Sequence, residues 1–424
     1  MVLYFFYILI SPIVFLLLHI IKFFKPKIYN HLLLEKQTLY ESKKIINQTY
    51  NRQKKILLFH ATSSGEFEQL KPLLKKTDKS KYLIVQAFTS PTVYIKEKEN
   101  KLFDTCCYHP YDFLWSSYLF FKTLRPDKYI ITRHDIWPTH LFVCKYLNIP
   151  CFYINANIHM GSIWSYRIMR NLSRAVFSIF QLVFVPSERI KNNLLSITKR
   201  EKSIIITGDT RFDQIVDRKN KNKNQILPDY YTNTSNIIFG SYDQYDETLI
   251  INSLKNLFTN GHKNLFEKNI CILLVPHEIN YKKINKLFKI LKTMSFNPTL
   301  YSQLHKGLMS NVLIVDKVGI LADLYKYCKI SYVGSGFTTG VHSVIEPAAY
   351  GCIIGFGPQF KLLDEAISMY QQNLCQIISN TSDMQSFINL IQSKSTSTNL
   401  EYKLEYFIQS SLGATNKIIN RLNL

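Results

Sequence analysis

The segment HATSSGEFEQ, His60 to Gln69, places a carboxylate just inside a turn of small residues that follows an apolar run. Small residues let the backbone bend sharply and leave helix N–H groups pointing outward. Glu66 then falls in the first helical turn, at its positive end, where a carboxylate is favoured. Two readings fit this segment equally. One is a charge that steadies the helix; the other is a general base that takes a proton from a hydroxyl nucleophile. A second segment, VGSGFTTGVHSVIEPAAYG (333–351), has a Gly/Thr turn between a strand and a helix expected to begin near His342. Its backbone donors suit an anion. Glu346, four residues on, would share the helix face of His342 and accept from ribose hydroxyls. FGPQF (356–360) follows. A tight turn without a ligand is the plainer reading, since the pattern is neither GxGxxG nor a Walker loop.

Two more strand ends carry candidates. ITGDTRFDQI (206–215) holds Arg211. Its guanidinium suits a leaving phosphate or, equally well, a surface pair with Asp209 or Asp213. LLVPHEIN (273–280) brings His277 and Glu278 to a strand end, where a lone histidine is more often a satisfied turn residue. No Asp-x-Asp, HExxH or EF-hand loop occurs, so the expected chemistry needs neither a metal nor another cofactor.

Short apolar strands must hold these segments. KKILLFHA, KYLIVQAF, KYIITR, CFYIN, QLVFVPS and SIIITG alternate with helical spacing up to Gly208. NIIFGS, NICILLVP, VLIVD, ISYVGSG and CIIGFG do the same further on. Such alternation predicts an α/β fold of two Rossmann-like lobes, each a parallel sheet with helices on both faces. DRKNKNKNQ (217–225), polar and without apolar period, reads as an exposed linker. The expected division is an N-terminal lobe over 29–216, a linker over 217–230, and a C-terminal lobe over 231–424 with a final helix. Ligands of such sheets bind outside the carboxyl ends of the strands, here in a cleft expected between the lobes.

Val2 to Ile21 contains no Asp, Glu, Lys or Arg, and at about 1.5 Å per residue it just crosses a core of about 30 Å. Lys22, Lys25 and Lys27 follow at once. That flank predicts a retained anchor (1–28) with the remaining chain in the cytoplasm. A cleaved signal peptide would want its basic residues first and a small-residue cleavage site after. Pro12 leaves an oblique or interfacial lie open. Of 424 residues, 52 are Lys or Arg and 30 Asp or Glu, a net charge of +22 that suits anionic partners. With 46% hydrophobic and 19% charged residues the chain is not disordered, and its 8 cysteines, without a CxxC pair, point to a reducing compartment.

Taken in order, GEF after an apolar strand, GDTRFD, VPHE, VGILADLY, HSVIEPAAYG behind the Gly-rich turn and FGP resemble the Kdo transferases. Those membrane-anchored enzymes move 3-deoxy-D-manno-octulosonic acid (Kdo) from CMP-Kdo onto a lipid A precursor. The resemblance covers nearly the whole chain. It implies a GT-B architecture at the inner membrane, with the acceptor on the first lobe and the CMP-sugar mainly on the second. It implies Glu66 as catalytic base and Arg211 in place of a lysine in a GNLKFD-like motif. His277, with Glu278 beside it, falls at a pair that contacts CMP. Val318, Gly319 and Ile320 match a Met-Gly-Glu turn, and Ser343, Val344, Ile345 and Glu346 an Asn-Pro-Leu-Glu segment.

The chain departs from the family pattern in three places. RHDIWP stands where many members read ETELWP, so Arg133 replaces the first acid while Asp135 keeps the second. LVPH lacks the arginine of LVPRH, and Ser343 replaces an asparagine. The implied reaction is inverting, metal-independent transfer to lipid IVA, with CMP-Kdo, the lipid acceptor and the inner membrane as partners. No nucleic-acid partner is expected, because Lys and Arg are spread without an aromatic–basic stripe. Two alternatives stand beside this: a GT-B transferase using another nucleotide sugar, and a membrane-tethered binder of anions or nucleic acid.

Overall fold

The apolar runs form two parallel seven-stranded sheets in the computed structural model, which describes residues 2–49, 54–159, 161–222, 224–305 and 309–424, without the side chains of 394–398. The first sheet holds β1 (Lys55–Ala61), β2 (Tyr82–Phe88), β3 (Thr105–Tyr108), β4 (Lys128–Thr132), β5 (Cys151–Ile154), β6 (Phe180–Val185) and β7 (Ile204–Ile206). Its order is β3-β2-β1-β4-β5-β6-β7. Alternate residues of β1 enter opposite cores: Leu58 packs in one with Leu83 and Val85, Leu57 and Phe59 in the other with Ile84. Both faces are therefore dry, which is why these strands read as unbroken apolar runs.

The second sheet holds β8 (Ser235–Tyr242), β9 (Ile270–Pro276), β10 (Pro298–Leu300), β11 (Val312–Ile314), β12 (Cys328–Val333), β13 (Ile353–Phe356) and β14 (Cys375–Ile377). They are ordered β10-β11-β9-β8-β12-β13-β14. Strand order reverses between β1 and β4 in the first sheet and between β8 and β12 in the second. Loops leaving the carboxyl ends of strands at such points are where doubly wound sheets receive ligands. The singled-out segments after β1, β4 and β12 all lie there.

Six helices matter for the first site: α1 (Val2–Ile21), α2 (Pro26–Thr49), α3 (Ser64–Lys76), α4 (Pro91–Glu97), α5 (Leu114–Leu124) and α6 (Pro138–Tyr146). α2 covers the edge strand β3, with Thr38 Oγ1 accepting from Tyr108 N at 3.1 Å and Ser42 Oγ 2.9 Å from Thr105 Oγ1. α1 runs unbroken through Pro12 and is, among the described residues, the helix long and apolar enough to cross a membrane. One side of it is seated: the Tyr4 ring lies 4.5 Å from Phe142 and the Phe15 ring 5.2 Å from Trp115. Its other side is bare, with Leu16 64% exposed.

Two boundaries differ from the sequence expectation. The chain divides into Met1–Gln214 with Leu412–Leu424, and Ile215–Ser411. Residues 217–221 are not linker but the last turns of a helix, Thr210–Lys221, whose apolar side buries Phe212 and Ile215. The basic run that suggested a linker sits at the helix C-terminus, where cations are favoured. The final helix, Ala414–Leu422, belongs to the first unit rather than the second. It buries Ile418 and Leu422 among Phe67, Leu70 and Leu74, and Asp213 accepts from the N–H groups of Gly413 and Thr415 at 2.7 Å each.

Candidate functional site

In the first unit Ser63 caps α3 and forms a reciprocal box with Glu66. Glu66 Oε2 accepts from Thr62 N at 3.1 Å, Ser63 N at 2.9 Å and Ser63 Oγ at 3.0 Å. The helix-steadying reading is thus realised, and a second group joins it. Asp135 Oδ2 accepts from the same Thr62 N at 2.8 Å, so one N–H is shared by two buried carboxyl groups. Burial first, and then the Glu66 charge, push the Asp135 carboxyl far above the usual carboxylate range. Like charges held this close resist ionising together, and that repulsion adds to burial in raising Asp135.

Arg133 sits two residues from Asp135 in left-handed backbone, φ 59°, where a non-glycine residue needs outside support. That support is present: Arg133 N donates to Ile154 O at 3.1 Å, and the Tyr153 hydroxyl donates to Arg133 O. Its guanidinium lies 3.7 Å from Asp209 Oδ2, which Arg211 also grips through Nε and Nη2 at 2.9 and 2.7 Å. Burial raises the Asp209 carboxyl, but Arg211 and then Arg133 outweigh it and hold it below the ordinary range. Of the two aspartates open to Arg211 in the sequence, Asp209 is the partner; Asp213 is engaged by the C-terminal segment.

A buried histidine stack behind this pair went unnoticed in the sequence, apart from His60 as the first residue of its motif. The His60 and His109 rings stack at 3.8 Å, and His109 meets His140 at 4.3 Å. His60 Nε2 lies 4.0 Å from Asp135 Oδ2 and 2.9 Å from Thr89 Oγ1. Burial lowers all three imidazoles and so disfavours charge on the stack. Only their separate elements, the ends of β1 and β3 and the first turn of α6, hid the cluster.

In the second unit the Gly-rich turn after β12 is tightly drawn. Gly334 N donates to Gly240 O at 2.9 Å, Ser335 N to Asp246 Oδ2 at 2.7 Å, and Gly340 N to Ser335 O at 3.0 Å. Much of the backbone expected to face an anion is therefore engaged internally. A Cβ on Gly336 would lie 2.6 Å from Gly357 Cα, so FGP closes directly on the turn. The helix expected near His342 begins later, at Ile345, and is five residues long. His342 and Glu346 consequently do not share a helix face. His342 stacks on His277 at 4.5 Å and lies 3.1 Å from Ser335 Oγ, whereas Glu346 pairs with Arg218 at 2.8 Å.

His277 and Glu278 line a cavity of about 480 Å³ with Lys283, Lys286, Ser335 and Thr338. Val318–Ile320 and Ser343–Glu346 lie outside that lining; Val318 is 80% exposed and Gly319 takes φ 85°. Among the described residues no three His, Cys, Asp or Glu side chains are grouped to hold a metal ion.

Residues 36–214 match the family described as 3-Deoxy-D-manno-octulosonic-acid transferase (kdotransferase). A 3-deoxy-D-manno-octulosonic acid transferase of Chlamydia muridarum is 24% identical over 343 residues, 77% of each chain. One of Aquifex aeolicus is 26% identical over 307 residues, 71% of this chain and 76% of the other. Among solved structures, UDP-GlcNAc 2-epimerase from Neisseria meningitidis bound to UDP-GlcNAc aligns at TM-score 0.62 and 18% identity, over 87% of this chain and 99% of that one. That likeness bears on fold alone, and with the two doubly wound sheets it identifies the GT-B class.

Proposed function

We propose that this chain transfers Kdo from CMP-Kdo to lipid IVA with inversion, a reading supported by the match of residues 36–214 to the Kdo transferase family and by the likeness to Kdo transferases over most of the chain. The observation that carries the reading is the carboxyl pair, Glu66 and Asp135, sharing one N–H at the strand reversal of the first sheet. Glu66 takes the proton from a glucosamine hydroxyl of the acceptor, whose oxygen attacks the anomeric carbon of Kdo as CMP departs. Asp135 keeps its proton and so spares Glu66 a neighbouring negative charge. Arg211, steadied by Asp209 and accompanied by Arg133, is assigned to the charge developing on the leaving CMP. His277 and Glu278, with Val318–Ile320 and Ser343–Glu346, are assigned to binding CMP. Lys22, Lys25 and Lys27 behind α1 favour an inner-membrane anchor with the catalytic units on the cytoplasmic side. Both proposed substrates are anionic, and the net charge of +22 draws them in.

The test is CMP release by the detergent-held protein given CMP-Kdo and tetra-acylated lipid A precursor, beside Glu66→Ala. Acceptor-dependent release lost in the variant supports the reaction and the base. Release that survives in the variant removes Glu66 from that role. No release from folded protein, with turnover of a UDP-linked sugar instead, overturns the donor.

A further inference from the structure

The buried carboxylate of Asp112, on the segment between β3 and α5, is used by two helices at once, α1 and α6. Its Oδ2 accepts from the Tyr7 hydroxyl of α1 at 3.0 Å and from Thr139 N at 3.3 Å, and its Oδ1 accepts from His140 N at 3.1 Å. Thr139 and His140 open α6, whose N-cap position, Trp137, supplies no side-chain cap. Pro138 has no N–H to satisfy. Asp112 is therefore the cap of α6, delivered from elsewhere in the chain and shared with α1.

α6 begins three residues after Asp135, so the position of its first turn sets that of the carboxyl beside Glu66. A second route joins the same two ends. His140 Nε2 lies 3.6 Å from Asp112 Oδ1, and the stack continues through His109 to His60, 4.0 Å from Asp135. We propose that Asp112 and Tyr7 are positioning residues for Asp135, coupling the seat of the apolar helix α1 to the geometry of the Glu66–Asp135 pair. This rests on the carboxyl pair serving as the proposed base site. The apolar outer face of α1 belongs in lipid, so bilayer insertion that fixes α1 also fixes Asp135. The titratable groups facing Asp135 are Glu66 of α3, His60 of β1, Tyr129 of β4 and Tyr153 of β5.

Tyr7→Phe tests this on the full chain, because it keeps the ring and the apolar face of α1 and deletes one hydroxyl. The expected result is a kcat about tenfold lower with KM for the lipid acceptor unchanged, since small misplacements of a catalytic group carry costs of this size. The alkaline limb of the pH profile should also move to lower pH, because a loosened Asp135 gains water and gives up its proton sooner. Asp112→Asn should move both in the same direction and further. Unfolding temperature against pH supplies the readout that needs no substrate: the wild type's loss of stability on the way to pH 8 should end at lower pH in Tyr7→Phe. Should CMP-Kdo give no turnover in the wild type, the functional reading fails while this comparison still decides the coupling. Wild-type pH profiles for both rate and stability in Tyr7→Phe and Asp112→Asn, whatever the change in kcat, overturn the proposal and leave Asp112 a structural cap.

Discussion

At Glu66 one side chain closes a helix cap and is assigned the chemistry, and two substitutions separate those duties. Glu66→Gln keeps an oxygen that accepts from Thr62 N and Ser63 N, so its stability cost should stay near or below about 1 kcal/mol. Its rate of CMP release should nonetheless fall by about 100-fold or more, the usual worth of a general base. A melt and a rate measured on one sample check both; a Gln variant of wild-type rate would make the cap the whole role of Glu66. Asp135 offers a pH signature. Its folded-state carboxyl, pushed up by burial and by Glu66 to about 8, binds a proton that the unfolded chain releases near the ordinary aspartate range of about 4. Between those values the native state holds more protons, so this residue's contribution to stability falls as pH rises and is fully lost above about 8. Asp135→Asn mimics the protonated form and should flatten that slope, raising the unfolding temperature most at pH 8 to 9. The serine-to-glutamate spacing made Glu66 legible because cap and carboxylate are three residues apart. Asp135 was legible only through the family pattern, since its partner Glu66 lies on a helix far away in sequence, and the choice of Asp209 over Asp213 by Arg211 depends on a helix that arrives from the far end of the chain.

Elements were readable where burial on both faces wrote a continuous apolar run. β1, β2, β4 to β9 and β11 to β13 all carry such runs. β3, β10 and β14, three of the four edge strands, have four, three and three residues and read TCCY, PTL and CQI, too short and too mixed to show a run, whereas the fourth edge, β7, reads III. The Gly-rich turn was also legible as a turn, but its close packing against FGP was not. Two glycines there face each other across the ends of β12 and β13, and the close approach of Gly336 to Gly357 is what lets FGP close on the turn. Gly336→Ala must displace backbone, and should destabilise the second unit by about 2 kcal/mol, as overpacking does. Gly319→Ala meets no neighbour, yet its φ of 85° still disfavours a side chain, so about 1 kcal/mol is expected there. Chemical denaturation of the two variants checks the order; equal costs would remove the packing argument for the FGP contact.

For the whole molecule, residues 412–424 supply a side wall of the first unit. Ile418 and Leu422, four residues apart on one face of the final helix, are almost fully buried beside Phe67, Leu70 and Leu74 of α3. Each contributes about 1.5–3 kcal/mol by burial. Asp213 anchors the start of the segment through two N–H groups, and the Tyr82 hydroxyl and Lys128 ammonium donate to the carbonyl oxygens of Asn423 and Leu422 at its end. Without the segment, the Leu57, Phe67 and Leu70 side of the core opens to water, and the Asp213 carboxylate loses its donors. A chain stopped after Ser411 should therefore lose several kcal/mol from the first unit alone. Hydrogen exchange resolves this by position: amides of β1, β2 and α3 should lose protection in the shortened chain, while those of β8, β9 and β12 keep theirs. A uniform loss across both sheets would mean that the two units unfold as one cooperative body, and the assignment of the tail's stabilising role to the first unit would have to be withdrawn. An unchanged pattern would reduce the buried Ile418 and Leu422 to passive contacts. The position-resolved loss is the expected outcome, because every hydrogen bond and buried apolar contact cited for this segment ends on residues of the first unit.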